Sequence, residues 1–542
     1  MDKATYILKS NAIFTSTSDA PVSGAVIVKD DKILDVVEGD NIDCYVGDKT
    51  IIHDYKDKLI MPGLIDAHIH FFMAAVTASD HMCTEIEHST SEEGCIRIVK
   101  EYVKTHPEEE KIFGMGWYPA NWNDAPLPTK ESLDEAFPDK PVFLISGDAH
   151  TAWINTLAIK ELGLTKDSHV DIGEIGKGSD GEPNGLLYEM EAVEYVIAKL
   201  FDMEKPKFKK VIKNFLDYIT SLGITSVSEM TANEYTDHYH YCYEVMKEME
   251  DEGDVSVRLH LYPHLEGYTE FSMTQKLKDE FHSDVFQIGG VKGFLDGVMT
   301  TYTGYLLEPY HDRPNTTGEG VPMVPFDEIV ESVCAANAEG FPVRLHCIGD
   351  AAVRMALDLY EESNKRNPGH GLKNTIEHVE CPHPDDIPRF KELDVIPSLQ
   401  PWHLILERNE KYERLGMERS KFMWAHNTIL KSGATMVFGT DYPVVDINPF
   451  PSIYAAVTRC DEEGHEWGNN PWEKISLADA LICYTKNAAD AYNRADELGT
   501  LEPGKLADIV VVDRNLFNVD ESEIWQAKPE ITMIGGKVVY EV

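Results

Sequence analysis

The chain opens with short alternating stretches, "ATYILKSNAIFTS", "SGAVIVKDDKILDVV" and "KTIIHDY", broken by Gly, Asn and Asp. That is the pattern of half-exposed strands and tight turns. The C-terminal stretches "GTLEPGKLADIVVVDRN" and "ITMIGGKVVYEV" return to it. The two β-rich ends flank a middle of different rhythm and read as one small β domain built from both. In the middle, compact apolar runs alternate with longer amphipathic ones. Eight runs predict strands: "LIMPGLIDAH" and the segments 223–230, 257–264, 288–297, 341–349, 374–380, 394–401 and 434–441. Stretches such as "MVPFDEIVESVCAANAEG" and "DAAVRMALDLYEESNKR" predict helices between them. Strand–helix alternation implies parallel βα units, and eight of them imply an α/β fold, a (β/α)8 TIM-like barrel. Residues of about 73–220 break the rhythm. They separate the first two strands by far more than one helix and hold a short strand of their own, "PVFLIS". We read them as a large insertion after strand 1, on the side of a barrel where active sites lie, placed to act as a lid or a pocket wall.

Composition narrows the function classes. The formal net charge of −45 excludes a nucleic-acid binder and argues against an anionic membrane surface, because both demand Lys and Arg. The acidic runs "HPEEEK" and "EMEDEGD" read as solvated faces. Nine cysteines without a CxxC pair point to reduced thiols and a cytoplasmic home. The N-terminus "MDKATYILKSNAIFT" has no long apolar core and does not read as a signal peptide. No apolar run reaches the 18 or so residues of a membrane helix.

Chemistry gathers at one end of the expected strands. Strand 1 ends in His68 and His70, two residues apart and so on one face. Strand four carries Lys292, strand five ends in His346, strand six in His378 and strand eight in Asp441. Each alone has a plain structural reading, Asp441 as a helix cap among them, but all six share one end of one barrel. Imidazole and carboxylate are ligands for Zn2+ and similar divalent ions, and such an ion activates water and polarises a carbonyl. A carboxylate beside it, here Asp441, can take the water's proton and hand it to a leaving nitrogen. Further residues stand where substrate contacts would fall: Asp296 four residues after Lys292, and Gln400, Trp402 and His403 after strand seven. Trp117, Tyr118 and Trp122 in "GMGWYPANWND" are either core or the wall of an apolar pocket. Asp350 reads as the cap of the helix that follows it.

The ordered set "PGLIDAHIH", Lys292, "LHCIGD", "IEHVE" and "FGTDYP" resembles the amidohydrolase superfamily. Within it, "SGDAHTAWINTLAI", "GEPNGLLYEMEA", "VKGFLDGVMTT", "GTDYPVVDINPF" and "LGTLEPGKLADIVVVD" resemble the amidohydrolase 3 family, which includes N-substituted formamide deformylases. The resemblance spans essentially the whole chain. It implies a small β-sandwich from residues 1–60 and 496–542 around a hydrolase barrel at 61–495. It also implies that His68, His70 and Asp441 hold one metal and that His346 and His378 hold a second. Lys292 would bridge the two as a carboxylated lysine, its carboxyl derived from CO2, and the metal would be zinc, as one ion or two. The family's Gly-His pair is replaced here by "SGDAHTAW", which leaves His150 as either a substrate contact or a loop histidine.

The resemblance implies a metal-dependent hydrolase of a small molecule's non-peptide carbon–nitrogen bond, an amide, formamide or cyclic amide, with Asp441 as general base and acid. Two other readings stay open. A mononuclear heterocycle deaminase, or an esterase or lactonase, would use the same scaffold and would go with an unmodified Lys292. A non-catalytic binding or regulatory protein would show a missing ligand. The expected partner is a small-molecule substrate, and a homodimer is the default assembly.

Overall fold

The computed structural model describes residues 2–118, 122, 127–147, 149–170, 173–230, 237–265, 269–314, 322–405, 410–466 and 470–542. The chain divides into two units. One comprises Met1–Phe71, Leu216–Glu234 and Glu250–Val542; the other comprises Phe72–Phe215 and Tyr235–Met249.

In the first unit, Leu64–Ile69, Ile224–Met230, Arg258–Tyr262 and Phe286–Ile288 form one parallel sheet. Val291–Phe294, Val343–Cys347, Thr375–His378, Ile396–Leu399 and Val437–Phe438 form another. Isolated parallel bridges pair His264 with Lys292 and Ile69 with Tyr442. Each of the eight segments expected as strands holds an observed strand. These strands are buried on both faces, Ile224–Met230 throughout its length, as parallel strands covered by helices must be. The covering helix Asp350–Arg366 buries Ala352, Val353, Ala356, Leu359 and Tyr360, a stripe at helical spacing.

Two expected strands are each divided. "LIMPGLIDAH" breaks at Gly63. Leu59–Pro62 pairs antiparallel with Ile509–Val512, and only Leu64–Ile69 joins the parallel set. The segment 288–297 breaks at Gly289 and Gly290, where strand partners change from Arg258–Tyr262 to Val343–Cys347. A Cβ on Gly290 would lie 2.2 Å from the Pro342 carbonyl oxygen, so the close approach of the two chains there needs glycine.

Both ends of the chain do share one sheet. Its order is Lys537–Glu541, Pro529–Ile534, Ile509–Val512, Leu59–Pro62, Tyr6–Ile13, Val22–Lys29 and Lys32–Glu38, with Ile51–Asp54 beside Tyr6–Ile13. Strict alternation sends Leu8, Val26, Val28, Ile60, Ile509 and Val511 into one buried cluster, and Ile7, Ala25 and Ile27 into another. Arg258 reaches from its parallel strand to Asp508 through two hydrogen bonds, 2.7 and 2.9 Å, with both side chains buried.

The second unit carries more β-structure than its sequence announces. Glu174–Lys177, Pro183–Tyr188, Thr151–Ile154, Val142–Ser146, Ile112–Trp117 and Met82–Cys83 form a six-stranded sheet in that order. Only Val142–Ser146 is legible beforehand: Met82–Cys83, Thr151–Ile154 and Glu174–Lys177 have two to four residues, too short to display a period, and the six-residue Ile112–Trp117 and Pro183–Tyr188 are interrupted by glycine.

Among the described residues, no helix is long and apolar enough to cross a membrane. All nine cysteines are free thiols, seven of them buried. Asp350 does not cap its helix. It occupies the first turn, Gly349 takes the cap position, and the Asp350 carboxylate accepts the Leu307 N–H at 2.9 Å.

Candidate metal centre

The strand Leu64–Ile69 delivers the first ligands. Its pairing with Ile224–Met230 slips between Asp66 and Ile69, a local irregularity of the kind that re-aims side chains next to functional sites. His68 Nε2 lies 3.3 Å from Asp441 Oδ1, and His70 Nε2 lies 3.2 Å from the same oxygen. The backbone holds this meeting in place. Asp441 N–H donates to the His68 carbonyl at 2.7 Å, and His70 N–H donates to the Tyr442 carbonyl at 3.0 Å. Buried Asp66 accepts from the N–H groups of His68 and Thr440 and from the Thr440 hydroxyl. Asp441 itself sits at φ 62° and His378 at φ 73°, left-handed conformations that cost a non-glycine residue free energy and concentrate at functional sites.

On the other side of Asp441, His403 Nε2 lies 3.8 Å from Oδ2. His378, His403 and Asp441 form one group of ligand atoms within 4.8 Å of one another, and His68, His70 and Asp441 form another. His346 belongs to neither group, although its ring centroid is 4.3 Å from that of His378. Its Nε2 faces the Gly297 carbonyl at 3.4 Å and Asp296 Oδ1 at 3.9 Å.

The imidazoles are oriented from behind. His68 Nδ1–H donates to Glu377 Oε2 at 2.7 Å, and Arg344 holds Glu377 Oε1 at 3.0 Å. His378 Nδ1–H donates to Gln400 Oε1 at 2.9 Å. Such partners fix the tautomer and turn Nε2 toward the metal. Glu377 and Arg344 are therefore functional residues that the sequence reading missed. "IEHVE" displayed Glu377 beside a ligand, yet strand alternation assigns neighbours to opposite faces.

Burial and charge set the proton affinities. Burial alone would raise the Asp441 carboxyl, but His68 and His70 hold it well below the usual carboxylate range. Burial likewise opposes ionisation of Glu377, and Arg344 and His68 still bring it down to about 2. Burial pushes Lys292 down to about 8 against the pull of Glu377 and Asp441. Burial drives His346 and His378 well below their ordinary value, helped by Lys292 at the first and by His346 at the second. His346 and His378 are thus neutral imidazoles beside the ionised carboxylates of Asp441 and Glu377, the protonation states that bind metal.

A divalent ion fits this donor set. His68 Nε2, His403 Nε2, Lys292 Nζ and Asp441 Oδ1 are buried without a hydrogen-bond partner. Buried polar atoms are otherwise almost always paired, and a cation shared among these donors would satisfy them.

Other expected contacts are placed differently. Gln400 serves His378 through its carbonyl oxygen. Asp296 is fully buried and accepts the N–H groups of Tyr305, Ile348 and Gly349, which makes it an organiser of loops. Trp402 packs against the cluster of Met299, Leu306 and Leu404. In the second unit, Trp117 and Trp122 lie with Trp153 in a buried core. Their indole N–H groups donate to Leu144 O and Ser89 Oγ, so the core reading describes them. His150 Nδ1 meets Glu189 Oε2 at 2.8 Å in that unit.

The amidohydrolase family model matches residues 52–540. The protein LONG AFTER FAR-RED 3 of Arabidopsis thaliana is 31% identical, covering 99% of this chain and 92% of its own. The N-substituted formamide deformylase of Arthrobacter pascens is 23% identical, covering 90% of this chain and 89% of its own. Among solved structures, an uncharacterized metal-dependent hydrolase from Pyrococcus horikoshii OT3 superimposes with a TM-score of 0.76 at 26% identity, over 96% of this chain and 99% of that one. With a divalent-ion donor set assembled at the ends of parallel strands and a family match across nearly its full length, the chain belongs to the amidohydrolase family and has the α/β fold of a metal-dependent hydrolase.

Proposed function

We propose that the protein hydrolyses a non-peptide carbon–nitrogen bond of a small molecule, an amide, formamide or cyclic amide, at a zinc centre held by His68, His70 and Asp441. The observation that carries this reading is Asp441 Oδ1, buried, without a hydrogen-bond partner and flanked by two imidazole nitrogens at 3.2 and 3.3 Å. The likeness to a formamide deformylase favours the carbon–nitrogen bond. The strand order and the two isolated bridges support a (β/α)8 barrel. The two apolar clusters on the terminal sheet support a β-sandwich there.

A zinc ion there supplies Lewis acidity, acidifying water and polarising the scissile carbonyl. The chain's residues do the rest. His68 and His70 fix the reacting centre against Asp441 Oδ1. Asp441 takes the proton of the attacking water on Oδ2 and delivers it to the leaving nitrogen. Gln400 keeps His378 Nε2 turned inward. In the same reading His346 and His378, with Lys292 as a carboxylated lysine, would hold a second ion. Its support is the Lys292 amine, buried without a hydrogen-bond partner and with its pKa pushed down to about 8, because the neutral amine is the form that captures CO2. Cytoplasmic residence and a homodimer complete the proposal.

The test is zinc content per chain, the mass of the Lys292 peptide under conditions that keep a carbamate, and a hydrolysis screen over N-formyl amines, amides, aminoheterocycles, esters and lactones. Zinc, an added carboxyl and product amine support the proposal. A bare Lys292 with ammonia release from heterocycles would replace it by the mononuclear deaminase. A protein that takes up no zinc would overturn it.

A further inference from the structure

Two of the histidines around Asp441 turn Nδ1 outward to a side-chain oxygen: His68 to Glu377 at 2.7 Å and His378 to Gln400 at 2.9 Å. A third, His403, comes from the short turn Pro401–Ile405 that follows strand seven and faces the opposite carboxylate oxygen of Asp441, with Glu380 Oε1 at 3.7 Å from its Nδ1. The His403 side chain is 8% exposed, and its Nε2 is buried with no hydrogen-bond partner. An unprotonated Nε2 facing a carboxylate oxygen is repelled by it unless a proton or a cation stands between.

We propose that His378, His403 and Asp441 form a second divalent-cation position of their own. It would be filled through His403 Nε2 and Asp441 Oδ2, and it is distinct from the position of His68 and His70. The inference rests on the reading of this centre as a metal site, keeps the ion of His68, His70 and Asp441, and puts the second ion at His403 in place of the position at His346 and Lys292. Two imidazoles and one carboxylate select a borderline ion such as Zn2+ or Co2+ over Mg2+ or Ca2+, which prefer oxygen. Gln400 aims the His378 ring. His378 serves either this position or the one shared with His346, so the two are alternatives. An ion here takes up the oxygen on which Asp441 carries its proton, so filling this position opposes turnover and lets excess zinc limit the enzyme.

The experiment titrates the metal-free full-length chain with Co2+ and reads visible absorption and stoichiometry by equilibrium dialysis. Wild type is compared with His403→Ala, His403→Gln and His346→Ala. The expected result is two equivalents in wild type, with the second weakened at least tenfold in both His403 variants and kept in His346→Ala. The first equivalent stays unchanged throughout. Circular dichroism melting identifies a variant that fails to fold, and the isosteric His403→Gln then decides. A second equivalent that survives both His403 variants, or that is lost only in His346→Ala, overturns the position proposed here and leaves the His68 site standing. One equivalent in wild type overturns it equally. A wild type that binds no Co2+ overturns this inference together with the metal-centre reading.

Discussion

Glu377 does more for His68 than neutralise it. Held by Arg344 on one oxygen, it presents the other to Nδ1 and leaves His68 Nε2 for the metal. Loss of such an oriented partner costs about 10- to 100-fold in metal affinity. Glu377→Gln is therefore expected to weaken zinc by that factor near pH 8, read by chelator competition. Its pH dependence has a definite sign. Burial on its own would lower the His68 pKa, yet Asp441 and Glu377 hold it above its ordinary value. The proton thus competes with the metal over a higher pH range than for a free imidazole, and loading falls as pH drops through that raised pKa. Removing the Glu377 charge lowers the His68 pKa, so in Glu377→Gln the acid limb of metal loading moves to lower pH. An unmoved limb would mean that Glu377 sets geometry alone. The sequence displayed both partners in "IEHVE", but alternation places Glu377 and His378 on opposite faces. Both reach His68, since its ring lies 4.9 Å from that of His378. The positive φ of His378 turns the chain at that point, and no periodicity records such a turn.

At the scale of elements, the site depends on how closely the strand Val437–Phe438 ends against Leu64–Ile69. A Cβ added to Gly439 would meet His68 N at 2.5 Å, His68 Cβ at 2.8 Å and Asp66 Oδ1 at 2.9 Å. These are backbone and buried atoms that cannot yield without moving a ligand. Gly439→Ala is expected to lower zinc affinity about tenfold or more while the protein remains folded, since a shifted ligand frame costs at least what a lost orienting partner does. Isothermal titration paired with circular dichroism checks it, and unchanged affinity would show that the strand ends are less tightly coupled. Elements with many residues in period were legible from the chain. The eight apolar runs that hold the parallel strands stood out, and His68, His70, His378 and Asp441 stood out as polar residues ending them. His403 lies in a 3-10 turn and Asp296 beyond the end of its strand, where strand alternation no longer predicts direction. The sheet of the second unit was hidden because three of its strands are short and two longer ones carry glycine where an alternating side chain would show, and its tryptophans are accounted for by packing alone.

At the scale of the molecule, the parallel strands and the terminal sheet are tied by the buried pair of Arg258 and Asp508. Asp508 also accepts the Gly535 N–H at 2.7 Å. Removing the charge from one partner leaves the other buried and uncompensated, at a cost of about 3–5 kcal/mol. Asp508→Asn is thus expected to lower the unfolding free energy, read from urea denaturation, by an amount of that order without changing zinc stoichiometry, because no ligand lies near the pair in sequence. A loss of zinc alongside the stability would mean that the sheet supports the centre directly. The terminal sheet also imposes an order of events on biosynthesis. A ribosome delivers Leu59–Pro62 early, yet its antiparallel partner Ile509–Val512 emerges only after the whole of the parallel strand set. During that interval the edge carries unpaired N–H and C=O groups on an entirely buried, apolar strand, the kind of edge that recruits foreign strands. Leu59–Pro62 therefore completes its pairing only once Ile509–Val512 has been made, and that edge needs shielding through the interval.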